Sequence, residues 1–314
     1  MKVLTPVKNL LSWIEIIKNW TDEIYFWIVS KDWQDKYNYT NILNRRDWNL
    51  ANISSYSDAK KLINFARSNW VKSFVTLNNS PQIPDERQIN EEIKNIISVN
   101  PDWLIVKDLF VADLIRKIDK NIEIHCSSLN QIINTSWIQL WIEKYNISRM
   151  ILPRNVSVNE IRELATSFPD LEFEIFVKND WCYNSDWICS SLHLEWLKEW
   201  IPYVCNRESR YKGKNNEYND KYIEIYKKSL DCKICILSKL RDIKNIVSLK
   251  IVWREKPLNI ILNDLKLVKN SVKFLKLSEN SNEHMNFNIN LYKKLLKKEC
   301  SYKDCEIYNK YYEK

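Results

Sequence analysis

Five cysteines in the second half of the chain have the spacing of a metal or cluster site. Cys182 and Cys189 are separated by six residues, Cys205 follows after a further fifteen, and Cys232 and Cys235 form a Cys-x-x-Cys pair. Thiolates that converge on one site bind an iron–sulfur cluster or a structural zinc ion. Zinc knuckles usually separate their first two ligands by two to four residues. The six-residue gap therefore favours a cluster and leaves zinc as the alternative.

The remaining cysteines have simpler interpretations. Cys126 lies within an apolar, strand-like run, where a cysteine is usually a small buried apolar side chain. Cys300 and Cys305 lie in a Lys-rich tail and are expected to be free thiols. We expect metal ligands or thiols in place of disulfides, because nothing in the sequence directs the chain to an oxidising compartment.

Five polar residues are candidates for binding or catalysis because each lies in or just after a predicted strand. His125 lies near the end of the fifth strand and is either a structural histidine or a site residue. Arg154 follows the sixth strand, and Lys250 and Arg254 lie at the eighth. Their cations could bind a carboxylate or a phosphate through charge-assisted hydrogen bonds. Alternatively, one of these cations forms a salt bridge with Glu174 in the seventh strand.

Short apolar runs alternate with amphipathic stretches along most of the chain. Eight strands with helices between them indicate a parallel sheet, and closure into a (β/α)8 TIM-like barrel is the simplest arrangement of eight. A doubly wound open sheet is the alternative. The predicted strands are 2–6, 23–29, 72–78, 103–107, 122–127, 149–153, 172–177 and 248–252, and the predicted helices are 58–69, 88–99, 111–118, 138–145, 158–168 and 258–270.

A Cys-rich insertion, residues 178–247, separates the seventh strand from the eighth. It follows the C-terminal end of a strand, which is the face at which barrel loops carry chemistry. Its polar stretch 206–220 predicts a mobile loop or part of a substrate clamp. We predict two units: a barrel over residues 1–270, which includes the insertion, and a basic C-terminal tail over residues 271–314 with a helix around 291–298.

Composition and motif content exclude several classes of protein. No run of 18 apolar residues is present, and the N-terminal stretch 1–6 has too few apolar residues for a signal peptide, so we expect a cytoplasmic protein with no membrane span. The net charge of +8 permits an RNA partner, although an Asn- and Lys-rich composition also follows from an AT-rich genome. The chain contains no Gly-rich phosphate loop, no nucleophile elbow and no His-Glu-x-x-His stretch.

The chain holds 14 Trp and 1 Gly, and the tryptophans lie where glycine is expected. Asp-Gly and Asn-Gly are common turn dipeptides, because glycine accepts a positive φ without a Cβ clash. Trp20 and Trp70 each follow an asparagine at the end of an amphipathic stretch, which is the position of a helix-ending glycine. A gene whose host reads the UGA codon as glycine would give this sequence if UGA were translated as tryptophan. We therefore interpret each Trp as a glycine of the native protein; Asp, Asn or Ser precedes Trp13, Trp20, Trp33, Trp48, Trp70, Trp103, Trp137, Trp181 and Trp187.

With glycine read for tryptophan, several stretches between residue 2 and about residue 255 resemble one known family. Residues 19–27 resemble its GADAVYLG motif, residues 74–78 its VYVTLN strand and residues 124–130 its IHASTQMN stretch. Residues 174–189, which include Cys182 and Cys189, resemble its most diagnostic stretch, EVFVHGALC followed by SGRCLLS. The chain therefore resembles peptidase family U32, the collagenase-like peptidases.

The resemblance implies a function and a ligand set. Its implied ligands for a 4Fe–4S cluster are Cys182, Cys189, Cys205 and Cys235, with Cys232 as the alternative fourth ligand. Relatives hydroxylate a tRNA or rRNA base without oxygen and use prephenate, a small carboxylate, as co-substrate. A protease and one subunit of a quinone-hydroxylating heterodimer are the alternatives, and a hetero- or homodimer is possible. The chain departs from the family pattern where Lys178 and Asn179 replace His-Gly, where Val252 replaces Glu, and where Ser209 replaces a second Cys.

Overall fold

The computed structural model describes residues 1–37, 43, 52–81, 86–130, 134–154, 156–178, 232–252 and 256–300. The structural statements below concern these residues. Cys182, Cys189, Cys205, Trp253 and Arg254 lie outside them, as does most of the predicted insertion.

Eight parallel strands pair in chain order, and the first pairs with the last to close a barrel. This confirms the predicted (β/α)8 fold over the doubly wound alternative. The register places His125 beside Arg149 and Glu174 beside Ser248. The strands are β1 (Lys2–Pro6), β2 (Glu23–Phe26), β3 (Lys72–Leu77), β4 (Trp103–Val106), β5 (Glu123–Cys126), β6 (Arg149–Ile151), β7 (Glu172–Lys178) and β8 (Ile246–Ile251).

Helices cover the outside of the barrel, and most begin at a side chain that caps them. Asn9 and Ser157 form capping boxes with the residues three positions later, and Ser55, Asp108, Asn134 and Asn280 each accept a backbone N–H of their helix. Several helices consequently begin two or three residues before the apolar periodicity that predicted them. The helices are α1 (Leu10–Lys18), α2 (Lys31–Tyr37), α3 (Tyr56–Ser68), α4 (Glu86–Ser98), α5 (Leu109–Ile118), α6 (Thr135–Tyr145), α7 (Val158–Ser167), α8 (Leu258–Leu275) and α9 (Ser281–Leu296).

Helices α1 and α3 end at tryptophans in the left-handed backbone conformation. Trp20 has φ 66° and Trp70 has φ 61°. At the end of α3, Trp70 N–H donates to Arg67 O at 3.1 Å and Val71 N–H donates to Ala66 O at 2.9 Å. These two bonds are those of a Schellman motif, which normally carries glycine at the position of Trp70. Both tryptophans thus lie at helix-ending glycine positions, and the two residues are 79% and 92% exposed.

Two apolar clusters stabilise the fold. The larger one lies between the sheet and the surrounding helices and includes Leu62, Ile93, Leu114 and Leu265. The smaller one, which we call the inner cluster, consists of residues that alternate with it along the strands and face the barrel interior. It is formed by Leu4, Tyr25, Trp27, Phe74, Ile105, Ile151, Phe176 and Val252, with Trp103 packed against it.

The C-terminal helices pack on each other beside the barrel. Helix α8 continues to Leu275, so the predicted division at residue 270 falls within a helix. The tail helix predicted around 291–298 is α9, which begins earlier, at Ser281. The rings of Phe274 and Phe287 stack with centroids 4.0 Å apart and join the two helices. None of the helices in the described ranges is long and apolar enough to cross a membrane.

Candidate functional site: the barrel interior and its C-terminal mouth

An ion network fills the N-terminal end of the barrel interior. Arg149, the first residue of β6, is fully buried and donates from Nη1 to Glu23 Oε2 at 3.0 Å and from Nη2 to Glu23 Oε1 at 3.1 Å. Its Nη2 also lies 2.7 Å from Glu172 Oε2, and its Nη1 lies 3.4 Å from Glu174 Oε2. Burial opposes the charge of Arg149, but the carboxylates of Glu23 and Glu174 outweigh it and raise the pKa of the guanidinium.

Lys250 joins the same network from the middle of the barrel. Its Nζ donates to Glu174 Oε1 at 2.7 Å and lies 4.2 Å from the centroid of the Tyr25 ring. Burial lowers the pKa of Lys250, and the Glu174 carboxylate acts in the opposite direction. The salt bridge to Glu174, which the sequence left as the alternative for one of the candidate cations, is therefore formed by Lys250.

His125 lies fully buried beside this network. Its ring stacks on Trp103 with centroids 5.1 Å apart and meets the edge of Phe74 at 5.0 Å. Neither ring nitrogen has a hydrogen-bond partner within the described part of the chain. Burial, followed by the charges of Arg149 and Lys250, lowers the pKa of His125 well below its ordinary value. The imidazole is therefore neutral at physiological pH and surrounded by aromatic rings.

The network and the opposite end of the barrel have different roles. Glu23, Arg149 and Glu172 are the first residues of their strands, which places them at the N-terminal end. Residues at that end of a (β/α)8 barrel typically serve stability, whereas chemistry occurs at the C-terminal end. Lys250 pairs in register with Phe176, the third residue from the end of β7, and so lies closer to the C-terminal end than the rest of the network. Lys250 is thus the member of the network placed to influence chemistry.

We call the C-terminal end of the barrel, with Trp27, Asn78, Arg154, Phe176 and Val252, the C-terminal mouth. The guanidinium carbon of Arg154 lies 5.1 Å from the Phe176 ring centroid. The indole Nε1–H of Trp27 donates to Asn78 Oδ1 at 3.3 Å, and the indole ring lies 5.1 Å from that of Tyr25. The mouth therefore combines a cation, an amide and aromatic rings. Arg254, which we expected here as well, lies outside the described residues.

The Cys-x-x-Cys pair lies at the end of β7. Lys178, the last residue of β7, forms an antiparallel bridge with Cys232, and Lys233 N–H donates to Val177 O at 2.8 Å. Cys235 lies in the short 3-10 helix Ile234–Lys239. The side chain of Lys233 also donates to the backbone oxygen of Arg154, which joins this segment to the C-terminal mouth. The predicted fourth ligand and its alternative are therefore both close to the face where barrels carry chemistry.

The other predicted ligands, Cys182, Cys189 and Cys205, lie outside the described residues. Within the described ranges, no group of three or more His, Cys, Asp or Glu side chains could hold a metal ion. Cys126 is fully buried in β5 and accepts a hydrogen bond from Asn130 Nδ2 at 3.2 Å, and burial raises the pKa of its thiol. Its interpretation as a small apolar core residue is confirmed.

Sequence reasoning missed Glu23, Arg149 and the contact between Trp27 and Asn78. A charged residue that opens an otherwise apolar strand, as in Glu23-Ile-Tyr-Phe and Arg149-Met-Ile, was the available signal. Because both strands are buried, each of these charges requires a partner inside the protein. The identity of that partner depends on the closed barrel, since Glu23 and Arg149 lie 126 positions apart.

Comparisons with known proteins add two findings. The family model of peptidase family U32 matches residues 15–312. The solved structure of the U32 peptidase Mk0906 superimposes with a TM-score of 0.51 at 9% identity and covers 82% of this chain and 94% of that chain. At such low identity, this similarity supports the barrel fold alone.

Among curated proteins, the similar ones include three whose names refer to tRNA hydroxylation. The chain is 30% identical over 131 residues to tRNA hydroxylation protein P of Haemophilus influenzae, which covers 42% of this chain and 28% of that protein. It is 30% identical over 120 residues to the Escherichia coli protein of the same name, and this match covers 38% of this chain and 26% of that protein. For tRNA hydroxylation protein P1 of Bacillus subtilis, the identity is 28% over 120 residues, and the match covers 38% of this chain and 28% of that protein. The match thus spans less than a third of the length of each of these relatives.

Proposed function

The chain belongs to peptidase family U32, and from this membership we propose that it is an iron–sulfur enzyme that hydroxylates a base of tRNA without using oxygen. The observation that carries the proposal is the 30% identity to tRNA hydroxylation protein P over 131 residues. The net charge of +8 is compatible with a nucleic acid substrate. A tRNA substrate would place the enzyme in the cytoplasm.

The described cysteines fit a cluster at the end of β7. Cys182 follows Lys178 by four residues, so its Cα lies within about 14 Å of that of Lys178. The bridge between Lys178 and Cys232 supports this proposal, because it brings the Cys-x-x-Cys pair to the end of the strand from which the chain continues to the first predicted ligand. Cys182, Cys189, Cys205 and Cys235 would hold a 4Fe–4S cluster there, with Cys232 as the alternative fourth ligand and zinc as the alternative metal. A bound cluster would supply electron transfer at this end of the barrel.

Cations near the C-terminal mouth suit a small carboxylate co-substrate such as prephenate. The Arg154 guanidinium lies over Phe176, and Lys250 pairs in register with the same residue. Guanidinium and ammonium groups bind carboxylates through charge-assisted hydrogen bonds, which strengthen where water is excluded. Lys250 already donates to Glu174, so its role would be to keep a positive charge in a fixed orientation at the floor of the site.

A peptidase mechanism has less support from the described residues. Ser271 Oγ lies 3.1 Å from His284 Nε2, and Asn288 Nδ2 contacts the same imidazole, which resembles the partners of a nucleophilic serine. All three side chains are buried between α8 and α9, however, and no substrate carbonyl could reach the hydroxyl group. Burial lowers the pKa of His284, consistent with a neutral core residue. We interpret this group as hydrogen-bonded packing between the helices.

We also propose that the native polypeptide carries glycine at the Trp positions. The positive φ of Trp20 and Trp70 supports this, because a left-handed backbone costs a residue with a Cβ about 1–2 kcal/mol and costs glycine almost nothing. The high exposure of both rings supports it as well, since neither contributes a ring to the core.

A bacterial strain that lacks its own tRNA hydroxylation protein provides the test. It would express either the chain as printed or a version with glycine at all 14 Trp positions. Mass spectrometry of nucleosides from its tRNA should detect a base heavier by one oxygen atom with the glycine version, and not with the same version carrying Cys182→Ala. Cys300→Ala is the matched control and should keep the activity. Unmodified tRNA together with digestion of casein by the anaerobically purified protein would instead favour a peptidase.

A further inference from the structure

Helix α9 ends beside the C-terminal end of the barrel. Asn263 near the start of α8 donates from Nδ2 to Leu295 O at 3.4 Å, so α9 runs antiparallel to α8 and ends where α8 begins. The Tyr292 ring lies 5.8 Å from Nζ of Lys178, the last residue of β7. The same Nζ lies 3.4 Å from Asp264 Oδ1, and both of these side chains are buried. The last turn of α9 is therefore fixed at the end of the barrel that carries the Cys-x-x-Cys pair and the C-terminal mouth.

The exposed side of α9 changes from amides to lysines along the helix. Asn282, Asn286 and Asn290 are exposed and four positions apart, which places them on one face. The one acidic residue of α9, Glu283, lies at the start of the helix, where its carboxylate accepts the Glu279 N–H at 2.8 Å. Positive charge is thus concentrated at the end beside the C-terminal mouth. We call the four exposed lysines at that end the lysine cluster: Lys293, Lys294, Lys297 and Lys298.

The lysine cluster carries more charge than the helix itself uses. Cations stabilise the carbonyl groups at a helix C-terminus, but like charges three or four positions apart repel each other. Lys293 forms an exposed ion pair with Glu299 at 2.5 Å. Within the described ranges, the other three lysines have no carboxylate partner. Three uncompensated ammonium groups at the end of one helix favour the binding of an external anion.

Lys297 keeps its charge at a position that favours glycine. It ends α9 with φ 55°, and its N–H donates to Lys293 O at 3.1 Å. A left-handed backbone is strained for a residue with a long side chain, and strain of this kind persists mainly at functional positions. The other left-handed residues in the described part of the chain are two asparagines, which tolerate this conformation, and two tryptophans that we propose to be glycine: Asn100, Asn146, Trp20 and Trp70.

We propose that the lysine cluster binds the phosphate backbone of the tRNA substrate next to the C-terminal mouth. This inference rests on the proposed function, since it takes RNA as the substrate. Lysine ammonium groups that neutralise phosphates supply much of the affinity for nucleic acids without reading their sequence. The asparagine amides on the same face can hydrogen-bond phosphate and ribose oxygens. From Asn282 to Lys293 this face is about 17 Å long, which suits a polymer of phosphates better than one small anion.

Binding measurements test the lysine cluster without depending on catalysis. Unmodified tRNA from a strain without tRNA hydroxylation protein would be titrated at several salt concentrations. The chain as printed and the glycine version both serve, since α9 contains no Trp. The combined variant Lys294→Gln, Lys297→Gln and Lys298→Gln should bind tRNA about 100-fold more weakly at about 0.1 M salt. It should also lower the slope of log affinity against log salt by about two. Arginine at the same three positions keeps the charge and should keep the affinity.

Two further variants separate phosphate binding from general charge and from folding. Lys297→Gly should raise the unfolding temperature, because glycine adopts φ 55° without a Cβ clash, and should weaken tRNA binding about fivefold. The matched control removes three exposed charges from α8 and should change the affinity for tRNA by less than about threefold. It combines Lys266→Gln, Lys273→Gln and Lys276→Gln.

Each outcome decides between the inference and its alternatives. Unchanged tRNA binding in the Gln variant of the lysine cluster would overturn the inference and leave the proposed function standing. Equal losses in the α8 control would also overturn it, because any positive charge would then serve. A changed oligomeric state of the cluster variant without RNA, measured by light scattering, would assign the surface to a second copy of the chain and overturn the RNA assignment. Lysine-dependent tRNA binding without hydroxylation would sustain the inference and contradict the proposed function.

Discussion

Arg149 and Glu23 form a double hydrogen bond across the barrel interior, with Nη1–Oε2 at 3.0 Å and Nη2–Oε1 at 3.1 Å. Both side chains are fully buried, and they join β6 to β2 on the opposite side of the closed sheet. The pair is therefore a structural link at the N-terminal end of the barrel, below the candidate site.

Removal of the Glu23 charge should destabilise the protein strongly. Glu23→Gln leaves Arg149 buried with its charge only partly compensated, and breaking a buried ion pair in this way costs about 3–5 kcal/mol. Glu172→Gln is a matched control, since Glu172 contacts the same guanidinium but its side chain is 41% exposed. It should cost less than about 1 kcal/mol. Unfolding by denaturant measures the free energy of unfolding of both variants. Equal losses of stability would contradict a buried Arg149–Glu23 link.

Stability should fall as the pH rises from about 5 to 7 because of Glu92. Burial raises the pKa of this carboxyl group on α4 to about 7, whereas the nearby Tyr56 hydroxyl group acts in the opposite direction. Between the ordinary pKa and about 7, the folded state binds a proton that the unfolded state has released, so stability declines with pH and is constant above that range. The full effect is at most about 3 kcal/mol. Glu92→Gln should remove this decline, whereas Glu91→Gln, an exposed neighbour, should retain it; an unchanged profile in Glu92→Gln would show that another group titrates.

Replacement of Trp70 by glycine should stabilise the protein by about 1 kcal/mol. The residue has φ 61° in a Schellman motif, and glycine adopts this conformation without a Cβ clash. Trp137→Gly is the control within helix α6, where glycine costs about 0.5–1 kcal/mol. The thermal unfolding temperature should therefore rise for Trp70→Gly and fall for Trp137→Gly. Mass spectrometry of peptides from the native host provides the direct test, since tryptophan at position 70 there would end the recoding proposal.

Loss of any one cluster ligand should bleach the brown colour of the anaerobically purified protein. The absorbance of an iron–sulfur cluster depends on its thiolate ligands, so alanine at one ligand removes or alters it. Cys235→Ala should have a larger effect than Cys232→Ala, and the reverse would identify Cys232 as the fourth ligand. Stoichiometric zinc without iron or sulfide would replace the redox interpretation with a structural metal site. The expected ligands are Cys182, Cys189, Cys205 and Cys235, and the variants expected to keep the colour are Cys126→Ala, Cys300→Ala and Cys305→Ala.

The strands could be predicted from the sequence because their signal is local. Runs such as Lys72–Leu77 are apolar, short and bounded by turn residues, and eight of them with intervening helices favour a closed barrel. The predicted helix starts are less accurate, because caps such as Ser55 and Asn280 precede the apolar periodicity.

The interior of the site could not be predicted in the same way. Arg149, Glu23 and Glu174 meet only after the sheet has closed, and no local pattern encodes which charges will pair. The Trp27–Asn78 contact does not follow from the sequence for a different reason, since a residue interpreted as glycine has no side chain that could form it. The positions of Trp20 and Trp70, by contrast, followed from local helix-ending chemistry and agree with the structure.

Nucleoside mass spectrometry of tRNA treated in the absence of oxygen tests the central claim most directly. The version with glycine at the Trp positions would be purified anaerobically and incubated with prephenate and tRNA from a strain without tRNA hydroxylation protein. The account predicts a hydroxylated base, heavier by one oxygen atom, that is absent when Cys182→Ala protein is used. Unmodified tRNA after incubation with folded, iron–sulfur-loaded protein would contradict it.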